Sequence, residues 1–315
     1  MKKEKKKKSE FLKFLEYAVV KLIIFMTQTT PLIIIKAVSN VLGDVLFFGV
    51  KKRRNIALEN LRHAFKDEKS EEEIQRIARQ SCRSFIFTFM EVFKLRAFFA
   101  RPDFLESIQS RSGDLVELFR KAKKIHDEAG GCIFVTPHIG NWEVLPHVCA
   151  AVGIPLAIVA RPLDNQHLEK MIYADRTSSG QILIPKRNAL FTLQKTLKSG
   201  KSIGMLPDQS TMKGLLIDFF GRKATTTPIP GMLAVRFRRP IVVVACCRKP
   251  GDYQYEGFVS DPIRPGEYTS EKDEIIRITK EINRSMEAII RRYPEQYLWI
   301  HNRWKRYKGK KEFMS

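Results

Sequence analysis

The sequence is short of acidic residues. Its 315 residues include 34 Asp and Glu against 56 Lys and Arg, which leaves a formal net charge of +22. This excess is larger than the charge of about 2–8 units that keeps a small domain soluble. The composition therefore favours an anionic partner: nucleic acid, anionic lipid or an acidic protein.

Cysteine is scarce, and its spacing fits no known metal or disulfide module. The chain has five cysteines and neither a CxxC nor an HExxH sequence, which argues against zinc modules and zinc peptidases. An odd number of cysteines in apolar segments also argues against a disulfide framework. We therefore expect reduced, buried thiols in a reducing compartment, and neither a metal nor a cofactor.

The N-terminal region lacks a long uncharged run. Six lysines occupy residues 2–8, and the apolar region 11–50 has its longest uncharged stretch at residues 22–35, only 14 residues. A spanning helix needs about 20 predominantly apolar residues. Three interpretations stay open: a span over residues 17–35 kinked by Pro31, an interfacial helix, and a buried helix hairpin. We predict a basic, membrane-anchoring N-terminus over residues 1–60 and a catalytic domain over residues 61–315.

From residue 132 onward, short apolar runs alternate with helical patterns. Strands are predicted at 132–137, 155–160, 181–185, 202–207, 241–247 and 253–260. This alternation is typical of an α/β fold, a mixed, mostly parallel sheet flanked by helices, here with an N-terminal membrane-anchoring helical segment. In such sheets ligands bind at the carboxyl ends of the strands.

A histidine and a glutamate stand directly after the first predicted strand. His138 follows the strand, and Glu143 lies five residues later, in the expected first turn of the next helix. Residues five apart on one helix point about 140° away from each other, so the two can meet only if His138 is in the loop. Imidazole can take a proton from a hydroxyl near neutral pH, and a carboxylate can hold its other nitrogen.

Other patterns in the chain suggest different chemistry but lack the right context. His63 and Glu68 have the same spacing, but no strand precedes them. Residues 200–204 match G-x-S-x-G, yet Ser202 lies between a helix and a following strand, the reverse of a nucleophile elbow. A non-enzymatic protein that binds nucleic acid or an anionic membrane is the remaining alternative, although no nucleic-acid-binding motif is present.

Several sequence blocks, in order, resemble one family. The blocks are KKRRNIALENL (51–61), HIGNWE (138–143), ARPLDN (160–165), LPDQ (206–209), IDFFGRKATTTPIPGMLA (217–234) and PEQYLWIHNRWK (294–305). Together they are similar to the bacterial lipid A biosynthesis acyltransferases of the lysophospholipid acyltransferase superfamily. The resemblance implies that His138 is the general base, oriented by Glu143 within the HX4E motif. It also implies a substrate-binding set made of Asn141, Arg161, Arg176, Asp208 and Gln209.

The same resemblance implies the reaction and its partners. Acyl carrier protein would donate a fatty acyl chain, and a lipid A precursor or related glycolipid would accept it on a hydroxyl. Phosphatidylinositol mannosides and lysophospholipids are alternative acceptors, because Ser210 stands where many members have an acidic residue. The expected location is the cytoplasmic face of the inner membrane, in contact with its lipids. No nucleic-acid partner is expected.

Overall fold

The computed structural model describes residues 9–99, 103–160, 162–178, 180–185 and 189–305. Its helices, in chain order, are α1 (Glu10–Thr29), α2 (Leu32–Gly49), α3 (Lys51–Phe65), α4 (Glu71–Phe99), α5 (Phe104–Arg111), α6 (Gly113–Ala129), α7 (Leu145–Ala151), α8 (Gln166–Ser178), α9 (Ala189–Lys198), α10 (Ile229–Phe237) and α11 (Glu271–Arg292). Its strands are β1 (Ile133–Val135), β2 (Leu156–Ala160), β3 (Ile182–Pro185), β4 (Ser202–Met205), β5 (Leu215–Phe219), β6 (Arg222–Thr226), β7 (Ile241–Arg248) and β8 (Tyr255–Val259).

Within the described residues, six strands form one sheet in the order β3-β2-β4-β1-β7-β8. The pairs β2–β3, β2–β4, β1–β4 and β1–β7 are parallel, and β8 is an antiparallel edge strand on β7. This confirms the predicted mixed, mostly parallel sheet. The strand order brings the carboxyl ends of β1 and β4 together, although their last residues, Val135 and Met205, are 70 positions apart in the chain.

Both faces of the sheet are buried, which explains why its central strands are continuously apolar. On β7, Val243 and Ala245 pack into one core cluster, whereas Val242 and Val244 pack into a second cluster on the opposite face. The first cluster includes side chains of α3, α10 and α11, and the second includes those of α6 and α7. The sheet is therefore a rigid support with few polar atoms inside it.

The sequence patterns did not reveal a separate two-stranded ribbon. β5 and β6 pair in antiparallel register, joined by Phe220 and Gly221, which both have positive φ. A two-residue turn of this kind usually has Asn or Asp before the glycine. Phe220 gives no such signal, so the hairpin was missed.

The N-terminal region forms two helices where one kinked span over residues 17–35 was an open interpretation. α1 ends at Thr29, and α2 begins directly after Pro31. The helices are separate because proline has no backbone N–H with which to continue the first one. Among the described residues, one helix is long and apolar enough to cross a membrane: Leu32–Gly49. The predicted lysine cluster at 2–8 lies outside the described residues.

The third helix joins this region to the sheet domain. The predicted boundary between residues 60 and 61 falls inside α3. Ala57 and Leu61, on either side of that boundary, are both fully buried in the first core cluster. α3 thus packs as part of the body that carries the sheet.

Candidate active site

The imidazole of His138 lies beyond the carboxyl end of β1. It meets Asp208, which follows β4, because β1 and β4 are adjacent and parallel. Nδ1 of His138 is 2.6 Å from Oδ1 of Asp208, and the backbone N–H of His138 donates to Oδ2 at 2.8 Å. The Asp208 side chain is 2% exposed and that of His138 is 19% exposed. One carboxylate therefore fixes both the ring and the backbone of His138.

The electrostatics of this pair favour an imidazole that accepts a proton. Burial opposes the charged form of His138, but the charge and hydrogen bond of Asp208 and the charge of Glu143 outweigh it and raise its pKa. Burial likewise opposes ionisation of Asp208, yet His138 lowers the pKa of that carboxyl below its usual value. A carboxylate at Nδ1 selects the tautomer with hydrogen on Nδ1, so Nε2 keeps its lone pair for a substrate proton.

The sequence predicted that Glu143 would hold the second ring nitrogen of His138. In the structure Asp208 occupies that position. Glu143 lies in the turn before α7, not in its first helical turn. Its Oε2 accepts a hydrogen bond from the Arg176 guanidinium at 2.6 Å, and both side chains are 25% exposed. Glu143 acts on His138 through its charge, and Arg176 holds that charge in place.

Gln209 lies on the Nε2 side of the imidazole. Its Nε2 is 3.4 Å from Nε2 of His138, the nitrogen that faces away from Asp208. An amide at this position can contact a group that approaches the lone pair of His138. The structure thus brings His138, Asp208 and Gln209 together, with Glu143 and Arg176 beside them. Arg161 lies outside the described residues.

Aromatic side chains lead from the protein surface to the imidazole. The rings of His138 and Trp142 lie edge to face with centroids 5.3 Å apart, and Trp142 lies edge to face with Phe89 at 6.4 Å. Phe89, on α4, is 42% exposed, whereas Trp142 is 8% exposed. These contacts form an aromatic path, meaning a row of packed rings from the exposed Phe89 on α4 to His138.

The loop that carries His138 approaches the backbone of β7 closely. Gly140 has a φ of +59°, and a Cβ there would overlap the carbonyl oxygen of Cys246. Its N–H donates to the carbonyl of Gln296, and the N–H of Asn141 donates to the carbonyl of Cys246. Only glycine suits such a position. Since these N–H groups already have partners, they cannot serve as donors to an oxyanion.

A buried polar network holds the same loop from behind. Asn141 is fully buried, and its Nδ2 donates to Oε2 of Glu91 on α4 at 2.7 Å. The same carboxylate accepts hydrogen bonds from Arg248 and Tyr255, each at 2.7 Å. Thr88, also on α4, donates to the carbonyl of Gly140 at 2.8 Å. Asn141, predicted to bind substrate, thus has its side chain in this framework.

Neither Glu91 nor Arg248 is among the site residues predicted from the sequence. Glu91 is a single acid within the apolar run of α4, FTFMEVFKL, and Arg248 ends the apolar strand β7. An isolated charge within an apolar run signals a buried pair, since an unpaired buried charge is very unfavourable. That signal was present for both residues, but it does not identify the partner.

The other two sequence patterns, His63 with Glu68 and G-x-S-x-G at Ser202, do not form catalytic sites. His63 is on α3, where Nε2 contacts the carbonyl of Phe220, while Glu68 pairs with Arg291. Ser202 is fully buried at the start of β4. In the part of the chain that the structure describes, no three His, Cys, Asp or Glu side chains are grouped so that they could hold a metal ion.

The five cysteines are buried and unpaired, as predicted from their apolar surroundings. Burial raises the pKa of the Cys82 and Cys132 thiols to about 12, so neither is a ready nucleophile.

Comparison with known proteins supports one family. A family model described as bacterial lipid A biosynthesis acyltransferase matches residues 1–306. The chain is 27% identical over 259 residues to a protein named lipid A biosynthesis palmitoleoyltransferase from Escherichia coli strain K12, covering 81% of this chain and 80% of the relative. The identity and coverage are the same for a protein named lipid A biosynthesis acyltransferase from Shigella flexneri.

Proposed function

Because this chain belongs to the bacterial lipid A biosynthesis acyltransferase family, we propose that it transfers a fatty acyl chain from acyl carrier protein to a glycolipid hydroxyl. The acceptor is a lipid A precursor or a related glycolipid. The observation that carries this proposal is the His138–Asp208 pair, 2.6 Å apart, at the carboxyl end of β1. It supplies a base whose Nε2 faces away from Asp208, on the side of the Gln209 amide.

His138 acts as the general base in this reaction. Nε2 removes the proton of the acceptor hydroxyl as its oxygen attacks the thioester carbonyl carbon, while Asp208 holds the hydrogen on Nδ1. The negative charges of Asp208 and Glu143 stabilise the imidazolium that forms. The tetrahedral intermediate then collapses, the C–S bond breaks, and the imidazolium returns the proton to the leaving thiolate. The products are an ester and a thiol.

The substrate-binding residues have distinct roles around this base. Gln209, 3.4 Å from Nε2, is placed to donate a hydrogen bond to the reacting oxygen. Arg176 keeps Glu143 in position. Arg161 is assigned to the acceptor pocket only by the resemblance to the family. Asn141 acts indirectly, because its buried side chain fixes the loop that carries His138.

The chemistry of the surfaces supports both partners. The net charge of +22 suits an acidic carrier protein and a phosphorylated acceptor. The aromatic path from Phe89 through Trp142 to His138 suits a hydrocarbon chain. The exposed apolar residues of α1 and α2 suit the lipids of the inner membrane. A thioester donor made in the cytoplasm and five unpaired cysteines support a location on the cytoplasmic face.

The test is transfer from purified acyl carrier protein to a lipid A precursor by the detergent-solubilised protein, with the product identified by mass spectrometry. The His138→Gln variant should lose about 10²–10⁴-fold in rate while it stays folded, because a general base contributes a factor of that size. His63→Gln is the matched control and should keep the wild-type rate. Normal transfer by a folded His138→Gln protein would refute the assignment.

A further inference from the structure

The first two helices expose an apolar surface that belongs to neither core cluster. On α1, Phe11, Phe14 and Phe25 are 77%, 57% and 63% exposed. On α2, Ile33, Val41 and Val45 are 76%, 62% and 61% exposed. We call the outward sides of α1 and α2 the apolar face. Apolar patches larger than a few hundred Å² are rare on proteins that stay in water and often mark contacts with membranes or other proteins.

The side of α2 opposite the apolar face is fixed along α4. Asp44 receives two hydrogen bonds from Arg79 and two from Arg83, both on α4, at 2.6–2.7 Å. These guanidinium groups keep the pKa of the Asp44 carboxyl well below its usual value. A Cβ at Gly43 would overlap the backbone of Arg83, so the two helices are in backbone contact there.

Both ends of α2 lie against the same catalytic body. Near its start, Lys36 pairs with Asp252, in the β7–β8 connection, at 2.7 Å. Just after its end, Arg53 of α3 donates to the carbonyl of Ile300. The buried residues of α3 follow directly.

Both ends of α1 are also held. Near its start, the amide of Asn165 donates to the carbonyl of Lys13 at 2.7 Å. At its end, Lys94 of α4 donates to the carbonyls of Gln28 and Thr30 at 2.6 and 2.8 Å. The charged ammonium of Lys94 therefore lies at the turn between the two apolar helices.

These attachments argue against a spanning helix. A spanning helix has its ends on opposite sides of a hydrocarbon core about 30 Å thick, whereas both ends of each helix here contact one body. For α2 to span, α4 would have to accompany it, with Arg79, Arg83 and Lys94 at the depth of the lipid chains. Charged residues at that depth are strongly unfavourable.

We propose that α1 and α2 lie in the plane of the membrane and seat the protein on one leaflet, with lipid as the occupant of the apolar face. Amphipathic segments in this position bury their apolar side about 5–10 Å into the boundary of headgroups and acyl chains. The exposed Lys51 and Lys52, which follow α2, meet anionic headgroups. The inference rests on the proposed function in one respect, since a lipid substrate places the protein at a bilayer.

This position on the membrane also gives the active site access to lipid. Asn165, which holds α1, follows the carboxyl end of β2, two strands from β1 in the sheet. α4, against which both helices pack, carries Phe89 at the outer end of the aromatic path to His138. A lipid substrate in the same leaflet can thus reach the imidazole without leaving the membrane surface.

Cysteine labelling in sealed inverted and right-side-out membrane vesicles tests the proposal. Thr29→Cys and Lys52→Cys place one thiol before α2 and one after it, and both native residues are exposed. Lys124→Cys, an exposed position on α6, reports the side of the catalytic body. The five native cysteines are buried, so they provide an unreactive background. The probe is a membrane-impermeant maleimide, and labelling in detergent confirms that each thiol can react.

The expected result is labelling of all three positions from the same side. Labelling of Thr29→Cys and Lys52→Cys from opposite sides, or protection of Thr29→Cys from both sides, would overturn the proposal. Acyl transfer is measured in the same membranes, so that the two claims fail separately. If the protein is active but the two thiols are labelled from opposite sides, only the in-plane position of α1 and α2 is rejected. If it is inactive but the thiols are labelled from the same side, only the proposed function is rejected.

Discussion

The carboxylate of Asp208 contacts Nδ1 of His138 at 2.6 Å and its backbone N–H at 2.8 Å. This double contact assigns to Asp208 the orienting role that the HX4E spacing suggested for Glu143. The arrangement separates two tasks. Asp208 sets the tautomer and the direction of the ring, whereas Glu143, held by Arg176, adds charge near the ring without occupying either nitrogen.

Replacing Asp208 should change both the rate and its pH dependence. Because Asp208 raises the pKa of His138, Asp208→Asn lowers that pKa. The neutral imidazole is the active form, so the acidic limb of kcat/KM should move to lower pH while the plateau falls about 10²–10⁴-fold. Asp218→Asn, at an exposed Asp paired with Lys223, is the control and should leave the profile unchanged. An acidic limb that stays in place would show that Asp208 does not act on His138.

Glu143 and Arg176 should behave as one unit. A hydrogen bond to a charged group is worth about 1.5–3 kcal/mol, so Glu143→Gln and Arg176→Met should each lower kcat/KM about 10- to 100-fold. The double variant should lose little more than either single variant, because the same interaction is removed. The measurement is a double-mutant cycle on kcat/KM. Fully multiplicative losses would mean that the two residues contribute independently.

The buried carboxylate of Glu91 should matter for turnover although it does not reach the substrate side. Removing one partner of a buried ion pair costs about 3–5 kcal/mol of unfolding free energy, and Glu91→Gln also loosens the loop through Asn141. We expect a lower Tm and a lower kcat with an unchanged KM for the acceptor. A merely structural role would lower Tm and leave the kcat of the folded protein intact.

Glu274 provides a matched control for that change. It is another buried glutamate paired with an arginine, Arg277, but it lies on α11 away from the loop of His138. Glu274→Gln should lower Tm without a change in kcat. Equal losses of kcat in the two variants would remove the positioning role of Glu91.

The fold class could be predicted from the sequence because apolar runs and helical patterns are local signals. The S-x-x-E pattern at Ser70 and Glu73 is one such signal, and in the structure both reciprocal hydrogen bonds of a capping box form. Strand order is not a local signal. The sequence places His138 and Asp208 after two different strands, but only the order β2-β4-β1 shows that these strands are neighbours. The partner of a catalytic residue therefore could not be read from spacing alone.

In the N-terminal region, too, the sequence does not reveal which distant residues are in contact. Hydropathy identifies an apolar segment, and Pro31 predicts an interruption, yet neither shows what lies beside it. In the sequence Asp44 only interrupts an apolar run, whereas in the structure it binds Arg79 and Arg83. These contacts join residues 35 and 39 positions apart, beyond the reach of any helical periodicity.

The identity of the donor should be visible in the salt dependence of the rate. An acidic carrier protein that approaches a protein of net charge +22 is attracted over a long range, and salt screens this attraction. The Debye length falls from about 10 Å at 0.1 M to about 3 Å at 1 M. The initial rate at low donor concentration should therefore fall steeply with salt for acyl carrier protein and less at saturating donor.

The comparison is with acyl-CoA, in detergent micelles with an uncharged acceptor, so that attraction of the acceptor does not contribute. A preference for acyl-CoA would exclude the carrier protein as donor, and use of the carrier without salt dependence would exclude electrostatic attraction as the reason for its use.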